Sequence, residues 1–541
     1  MTPLHHNCSV PISMLQYIIK IYISVCIYAI IRTTAMEDLK LLAAYALFGI
    51  RTINNATLEN AVQRQLSASS KSRFGVFVTL QRQDNLDESQ IHGCLGHWTP
   101  NYGSMSPPEL VERMQQLVQD VRTKDDRRRH FATDVDQDAS ATIEISFMNR
   151  PLREIDDVSP DTKSRFSNKT QGLLVDSGSG KRATYLPGVF PNASWDYISE
   201  SLRQKAGLGR TSAARFYAYD TTVVTFQVYD VLFSARSASY LRADVAFFYL
   251  KHYADFVPYE YNAATHAIKI NETEAVRNVA CIGDAIGFAR DYKAAFDNKP
   301  ILSNLEHYYQ KWLKSPGAYR QASIFLIRAY ERWGVHRSRV HVMSAQLYSA
   351  LDRSALEPRF ELGEAISVLA QVSVPRIKSL KRAVKLMRER ADAMMRADTT
   401  PLDNVFELNW QSQSVYHMFK LELNVARASS ACVDHAMTLF RVFMKTAQRT
   451  IVRLDALETN YLAVIYECLS NLDAVMVLLQ SNHRDIYAQP GIAMAHDELR
   501  NQRLRYFAAL AETRRGEYGL YYFKGGKTAR LDITGHVLDA P

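Results

Sequence analysis

Between Pro401 and Pro490 the chain contains neither glycine nor proline. A stretch that long with no helix breaker exceeds any ordinary globular helix, so it has to fold as several helices packed together. Within it "HAMTLFRVFMKTAQRTIVRLDALETNYLAVIYECLSNLDAVMVLLQ" repeats apolar residues at spacings of three and four, the stripe that a bundle helix buries. The same texture begins at Phe233, and residues 233–541 are therefore expected to be a mainly α-helical C-terminal domain. No fixed solenoid period runs through it. It closes on "YGLYYFKGGKTARLDI", which reads as a short hairpin around Gly525 and Gly526.

Before Leu232 the period is different. "FGVFVTLQRQ" alternates and is rich in β-branched and aromatic residues, and "SQIHGCLG" follows a polar turn, so the two are expected to pair as a hairpin. "SPPELVERMQQLVQDV" opens with helix start signals and places Leu110, Met114, Leu117 and Val121 on one face. "ATIEISFMNRPLREI" is strand-like, and "QGLLVDSGSGKRATYL" is two strands joined by a Gly/Ser turn. "SWDYISESLRQKAGL" is a capped helix ending at Gly207, and "RFYAYDTTVVTFQVY" is one final strand run. Residues 36–232 are thus expected to form an α+β domain with mainly antiparallel pairing.

The 541 residues, 47% hydrophobic and 22% charged, have a globular composition and are enough for two or three domains. Six cysteines stand singly with no C-x-x-C pair, which excludes a cysteine-rich zinc module and a disulfide framework and fits a reducing, cytoplasmic or nuclear compartment. Residues 1–35 form a separate segment, apolar over 14–31 except for Gln16, Lys20 and Ser24. Three readings stand for it: a short membrane anchor, a buried helix, or upstream sequence ahead of a start at Met36. The net charge of +9 is uneven, with 40 Lys+Arg against 32 Asp+Glu over 233–541 and 23 against 24 over 36–232. An electrostatic partner is therefore to be sought in the second half. There "RIKSLKRAVKLMRERADAMM" puts Lys378, Lys381, Arg382, Lys385 and Arg388 along one helix face beside an apolar one. Residues 376–390 suit nucleic acid or anionic lipid, although the commoner origin of such a face is the solvated side of a bundle helix.

The ordered series "FGVFVTL", "IHGCLG", "IEISFM", "LLVDSGSGKRATYLPGVF" and "SLRQKAGL" resembles the AMMECR domain family over about residues 38–232. The resemblance implies an antiparallel-sheet fold of two subdomains and a biochemical activity that is unresolved, with prokaryotic relatives that look like partners of Memo-like and radical-SAM proteins. The family signature "LRGCIG" maps onto Ile91 to Gly96. Gly93, Cys94 and Gly96 match it, and His92 stands where the family has arginine. A family acidic residue and an Arg-Phe after the first helix correspond loosely to Asp126 and Arg128 in "KDDRRRHF".

The motif stretch "IHGCLGHW" offers His92, Cys94 and His97 as N/S donors, but strand alternation turns His97 away and no fourth ligand lies near, so no metal or cofactor is expected. Cys94 is the candidate nucleophile, with Glu144 as a candidate acid or base, while a buried packing cysteine is the plainer reading. Glu144 and Ser146 face away from Ile143 and Ile145 and are expected to line either a pocket or a solvated sheet face. His92, Gly93, Gly96, Ser146, Asp126 and Arg128 are candidate ligand contacts. "DSGSGKR" fails the phosphate-loop spacing and reads as a hairpin turn, and Cys432 with His435 is too incomplete a pair to argue a metal. The expectation is an intracellular ligand-binding or protein-interaction module fused to a basic helical domain that docks a protein partner; the alternative is an enzyme or protein-modification component using Cys94.

Overall fold

The computed structural model describes residues 36–50, 55–83, 89–125, 141–156, 159–210, 212–234, 258–270, 299–334, 336–357, 361–396, 405–425, 430–450, 457–488, 492–513, 528–530 and 536–537, with Ser237, Tyr240, Leu241 and Asp244. They divide into two compact units. The first holds the described residues of Met1–Gly49, Asn55–Thr133 and Ser140–Leu232, and the second those of Ile50–Asn54, Asp134–Ala139 and Phe233–Pro541. Residues 1–35, with the apolar stretch 14–31, lie outside the described residues, as do Asp126 and Arg128.

The first unit is α+β. After helices α1 (36–47) and α2 (Asn55–Ala68) come β1 (Arg73–Gln83), β2 (Ser89–Trp98), α3 (Pro107–Thr123) and β3 (Thr142–Asn149). β1 pairs antiparallel with both β2 and β3. Its alternation buries Val76, Val78 and Leu80, and the apolar stripe of α3 from Leu110 to Val121 is buried too, while Phe74, at a register shift in the β1–β3 pairing, packs on Leu174 and Tyr219. The helix starts where the sequence says it should: the Ser106 hydroxyl accepts the Glu109 N–H at 3.4 Å, and two prolines occupy positions whose N–H groups would have no helical partner.

β4 (Arg153–Ile155), β5 (Gly172–Asp176), β6 (Arg182–Tyr185) and α4 (Trp195–Lys205) follow. The single run expected over "RFYAYDTTVVTFQVY" is instead two strands and a turn of helix. β7 (Arg215–Tyr219) joins a sheet of order β4-β7-β5-β6, β8 (Thr221–Gln227) joins the other, of order β2-β1-β3-β8, and Val228–Leu232 is helical. Alternation continues through Asp220 with no sign of a break; the switch comes from the partners each half finds. Each sheet has its own core, the second built from Leu173, Val175, Phe216 and Ala218 against Ile198 and Leu202 of α4. α4 ends at Gly207, whose φ of 67° suits glycine.

The second unit contains a small sheet of order β10-β9-β11, from β9 (Pro258–Asn262), β10 (Ala267–Ile270) and β11 (Thr528–Arg530). Gly525 and Gly526 lie outside the described residues, and β11 pairs with β9, far away in sequence, a partner that no local pattern announces. The rest is helical: α5 (Lys299–Lys314), α6 (Arg320–Trp333), α7 (Arg337–Asp352), α8 (Glu361–Leu369), α9 (Ile377–Arg396), α10 (Val405–Val425), α11 (Ser430–Thr450), α12 (Thr459–Asn482) and α13 (Ile492–Thr513). α10 packs on α8, α11 and α12, and α12 on α13.

Among the described residues, only α12 is long and apolar enough to cross a membrane, yet 83% of its apolar window is buried. It also carries charge inward. Glu467 accepts from Asn409 Nδ2 at 2.6 Å, Gln413 Nε2 at 2.5 Å and His536 Nδ1 at 2.8 Å. Such pairing is how a core helix of a folded unit carries a buried carboxylate.

His435 of α11 is fully buried, and neither ring nitrogen has a hydrogen-bond partner among the described residues. Burial, aided by the charge of Arg388, pushes its pKa down to about 3. The unfolded chain therefore takes up this proton first, near pH 6.5, and stability falls as the pH drops from there toward 3. His435→Leu removes an unpaired buried group, so it is expected to keep or raise stability at pH 7, by up to about 1–3 kcal/mol. Urea unfolding at pH 7 and pH 5 should show the variant losing less than the parent on acidification; an equal loss would contradict the assignment.

Candidate functional site

The site is built on the face of the first sheet opposite α3. Register aligns Cys94 with Thr79, Thr79 with Glu144 and Glu144 with Thr225, so the four stand in one row across four strands. The Cys94 N–H donates to the Asp125 carboxylate at 2.8 Å and hence points away from β1. Cys94 and Thr79 are thus a non-hydrogen-bonded pair, the kind whose side chains approach most closely, and the Thr79 hydroxyl donates to Cys94 Sγ at 3.2 Å. Cys94 is half-buried. In the next row Ser146 is buried and its hydroxyl donates to Glu144 Oε1 at 3.1 Å. Cys94 and Glu144 therefore share a face, with Thr79 between them.

The two glycines of the motif serve opposite sides of the strand. A Cβ on Gly93 would lie 2.7 Å from Val121 Cγ2 and 3.0 Å from the Val121 carbonyl oxygen, so the residue lets the end of α3 approach the strand. A Cβ on Gly96 would run into the ring of Phe77, its partner on β1. That ring stacks on Trp98 with centroids 5.8 Å apart, forming an aromatic wall beside the polar row. His92 is the extra residue of a β-bulge, since Leu80 faces Gly93 while Gln81 faces Ile91. His97 faces α3: partial burial and Arg113 hold its pKa below the ordinary value, and Glu109 opposes them.

The Asp125 carboxylate meets the Cys94 peptide, and α3 directs its C-terminal, negative end at Gly93. Asp125 is the acid that sequence reasoning missed in favour of its neighbour Asp126; its position just beyond the last apolar turn of α3 was the available signal. Thr79, Phe77 and Trp98 were missed as well, and only the strand register reveals them. Tyr219 of β7 is fully buried, and burial pushes its phenol up while its hydrogen bond with the Thr184 hydroxyl opposes this.

Among the described residues no group of three His, Cys, Asp or Glu side chains is placed to hold a metal ion. On the helical unit the basic face of α9 is largely neutralised. Lys381 pairs with Glu422 at 3.2 Å, Arg382 with Asp352 at 2.5 Å and Arg388 with Asp434 at 3.1 Å. Lys378 and Lys385 are exposed.

Residues 45–230 match the AMMECR1 family, which brings the Cys94 row, both sheets and α3 inside one family segment. The first unit contains an AMMECR domain. No curated protein matches the chain. The match ends at residue 230, before the helical unit.

Proposed function

We propose that the AMMECR domain is an intracellular ligand-binding or protein-interaction module, cytoplasmic or nuclear, fused to a helical domain that docks a partner protein. The carrying observation is the Cys94–Thr79–Glu144 row: a half-buried thiol that accepts from the buried Thr79 hydroxyl, beside an aromatic wall, with the Asp125 carboxylate on the motif peptide. Such a surface grips a ligand through polar and aromatic contacts. The enzyme reading draws on the shared face of Cys94 and Glu144, and it requires a thiolate at neutral pH. Docking of nucleic acid or anionic lipid on residues 376–390 would rest mainly on Lys378 and Lys385, and such binding must weaken steeply with salt.

Thiol labelling followed by peptide mass analysis separates the two readings. Cys94 is expected to label at least about tenfold faster than Cys432 and Cys468, which are buried with their pKa pushed up. Its rate should climb with pH in the manner of an ordinary free thiol. A midpoint near pH 6 would overturn the binding reading in favour of a nucleophile.

A further inference from the structure

Within the AMMECR domain the chain passes between the two sheets at two places, 150–152 and Asp220, and these lie side by side. The Asn149 N–H donates to the Asp220 carbonyl at 2.9 Å, and Asn149 Nδ2 donates to Thr222 Oγ1 at 3.0 Å. Two adjacent crossings make a narrow, two-stranded connection, the geometry of a hinge. β5 and β7 run away from it: Gly172 faces Tyr219 next to the crossing, and Asp176 faces Arg215 at the far end. Four residues of strand separate these pairs, about 13 Å at the usual rise.

At that far end the sheets meet again through polar groups. The Tyr102 hydroxyl donates to Asp176 Oδ2, and Arg182 Nε lies 3.2 Å from the same oxygen. The Arg182 guanidinium stacks over the Tyr102 ring at 5.4 Å and donates to the Pro100 carbonyl. Tyr102 belongs to the first sheet's side, in a loop held by the Thr99 N–H on Phe74 O at 2.9 Å and the Met105 N–H on Arg73 O at 2.7 Å. Its φ of 51° is costly for a non-glycine residue, and the loop adopts it where the phenol reaches Asp176. Asp176 and Arg182 are the two ends of the "DSGSGKR" hairpin, whose turn is closed by the Gly178 N–H on Asp176 Oδ1 at 2.8 Å. Between hinge and contact the sheets share a small buried cluster of Phe74, Met148, Leu174 and Tyr219, on which Phe77, Trp98, Tyr102 and Tyr217 pack half-buried.

We propose that Tyr102, Asp176 and Arg182 form a releasable latch that holds the two sheets closed over the Cys94 row and opens about the Asn149–Asp220 hinge. The proposal rests on the reading of that row as the binding surface. Releasing the latch parts the sheets at that far end and uncovers Phe77 and Trp98, which pack on the shared cluster beside the Cys94 row, while the second sheet keeps its core against α4.

The full chain is compared with Tyr102→Phe and Asp176→Asn by amide hydrogen exchange and Cys94 labelling. Either variant is expected to speed exchange at residues 99–105 and 177–181 by about tenfold or more, the scale of one charge-assisted hydrogen bond. Exchange in α3 and α4 stays at the parent rate. Unchanged exchange in the two loops overturns the latch, and so does acceleration of α3 and α4 in step with them, which would mean general loosening. Cys94 labelling tests the binding surface separately. If the loops loosen while Cys94 stays as slow as Cys432, the latch stands and the row is not the surface it closes over.

Discussion

Asp473→Ala is expected to destabilise the helical unit by about 3–5 kcal/mol, the usual cost of removing one partner from a buried charge network. Asp473 lies inside α12 and accepts from Arg503 Nη1 at 2.7 Å and His496 Nε2 at 2.8 Å, with Arg500 Nε at 3.4 Å. Arg503 and His496 are themselves buried, at 4% and 1% exposure, so neither can turn to water when the carboxylate is lost. The carboxylate also fixes the imidazole proton on Nε2, leaving Nδ1 to accept from the Tyr487 hydroxyl at 2.8 Å. Asp473→Asn keeps an acceptor but no charge, and should fall between the two. Urea unfolding with amide exchange followed in α12 and α13 assigns the loss to this unit; a variant that unfolds at the parent's urea concentration would show that the cluster is not buried as described.

Gly96→Ala is expected to cost about 1–3 kcal/mol in the AMMECR domain, the range for forcing an extra carbon into a filled space. The new methyl would occupy the place of the Phe77 ring, and that ring cannot retreat without leaving Trp98. The effect should therefore depend on Phe77. In a Phe77→Leu background, where the ring is gone, the same change should cost markedly less, a coupling that a double-mutant cycle measures directly. Equal costs in both backgrounds would mean that Gly96 serves backbone conformation instead. Disturbing this wall should also alter Cys94 labelling, because Phe77 and Thr79 lie on the same face of β1.

Much of the local structure was legible. The Ser106 cap, the apolar stripe of α3 and the β1–β2 hairpin follow from patterns a few residues long, because capping and alternation are local effects. The apolar stripe Leu380, Val384, Met387 of α9 is likewise the buried one. The split of "RFYAYDTTVVTFQVY" at Asp220 was not legible, since each half alternates equally well and only the identity of its distant partner decides its sheet. The bulge at His92 was hidden for the same reason: an extra residue shows only when two strands are aligned.

What the sequence determined by itself is the change of period near Leu232, the helical nature of most of the second half, and the AMMECR motif series with Gly93, Cys94 and Gly96 at its centre. Tertiary structure alone decided that Cys94, Thr79 and Glu144 form one row, that Asp125 meets the motif, and that the ends of "DSGSGKR" close on Tyr102. The physical reason is range. Helix caps, turns and alternation act over neighbouring residues and leave their mark in the local pattern, whereas strand register and side-chain pairing join residues that the chain separates by dozens of positions.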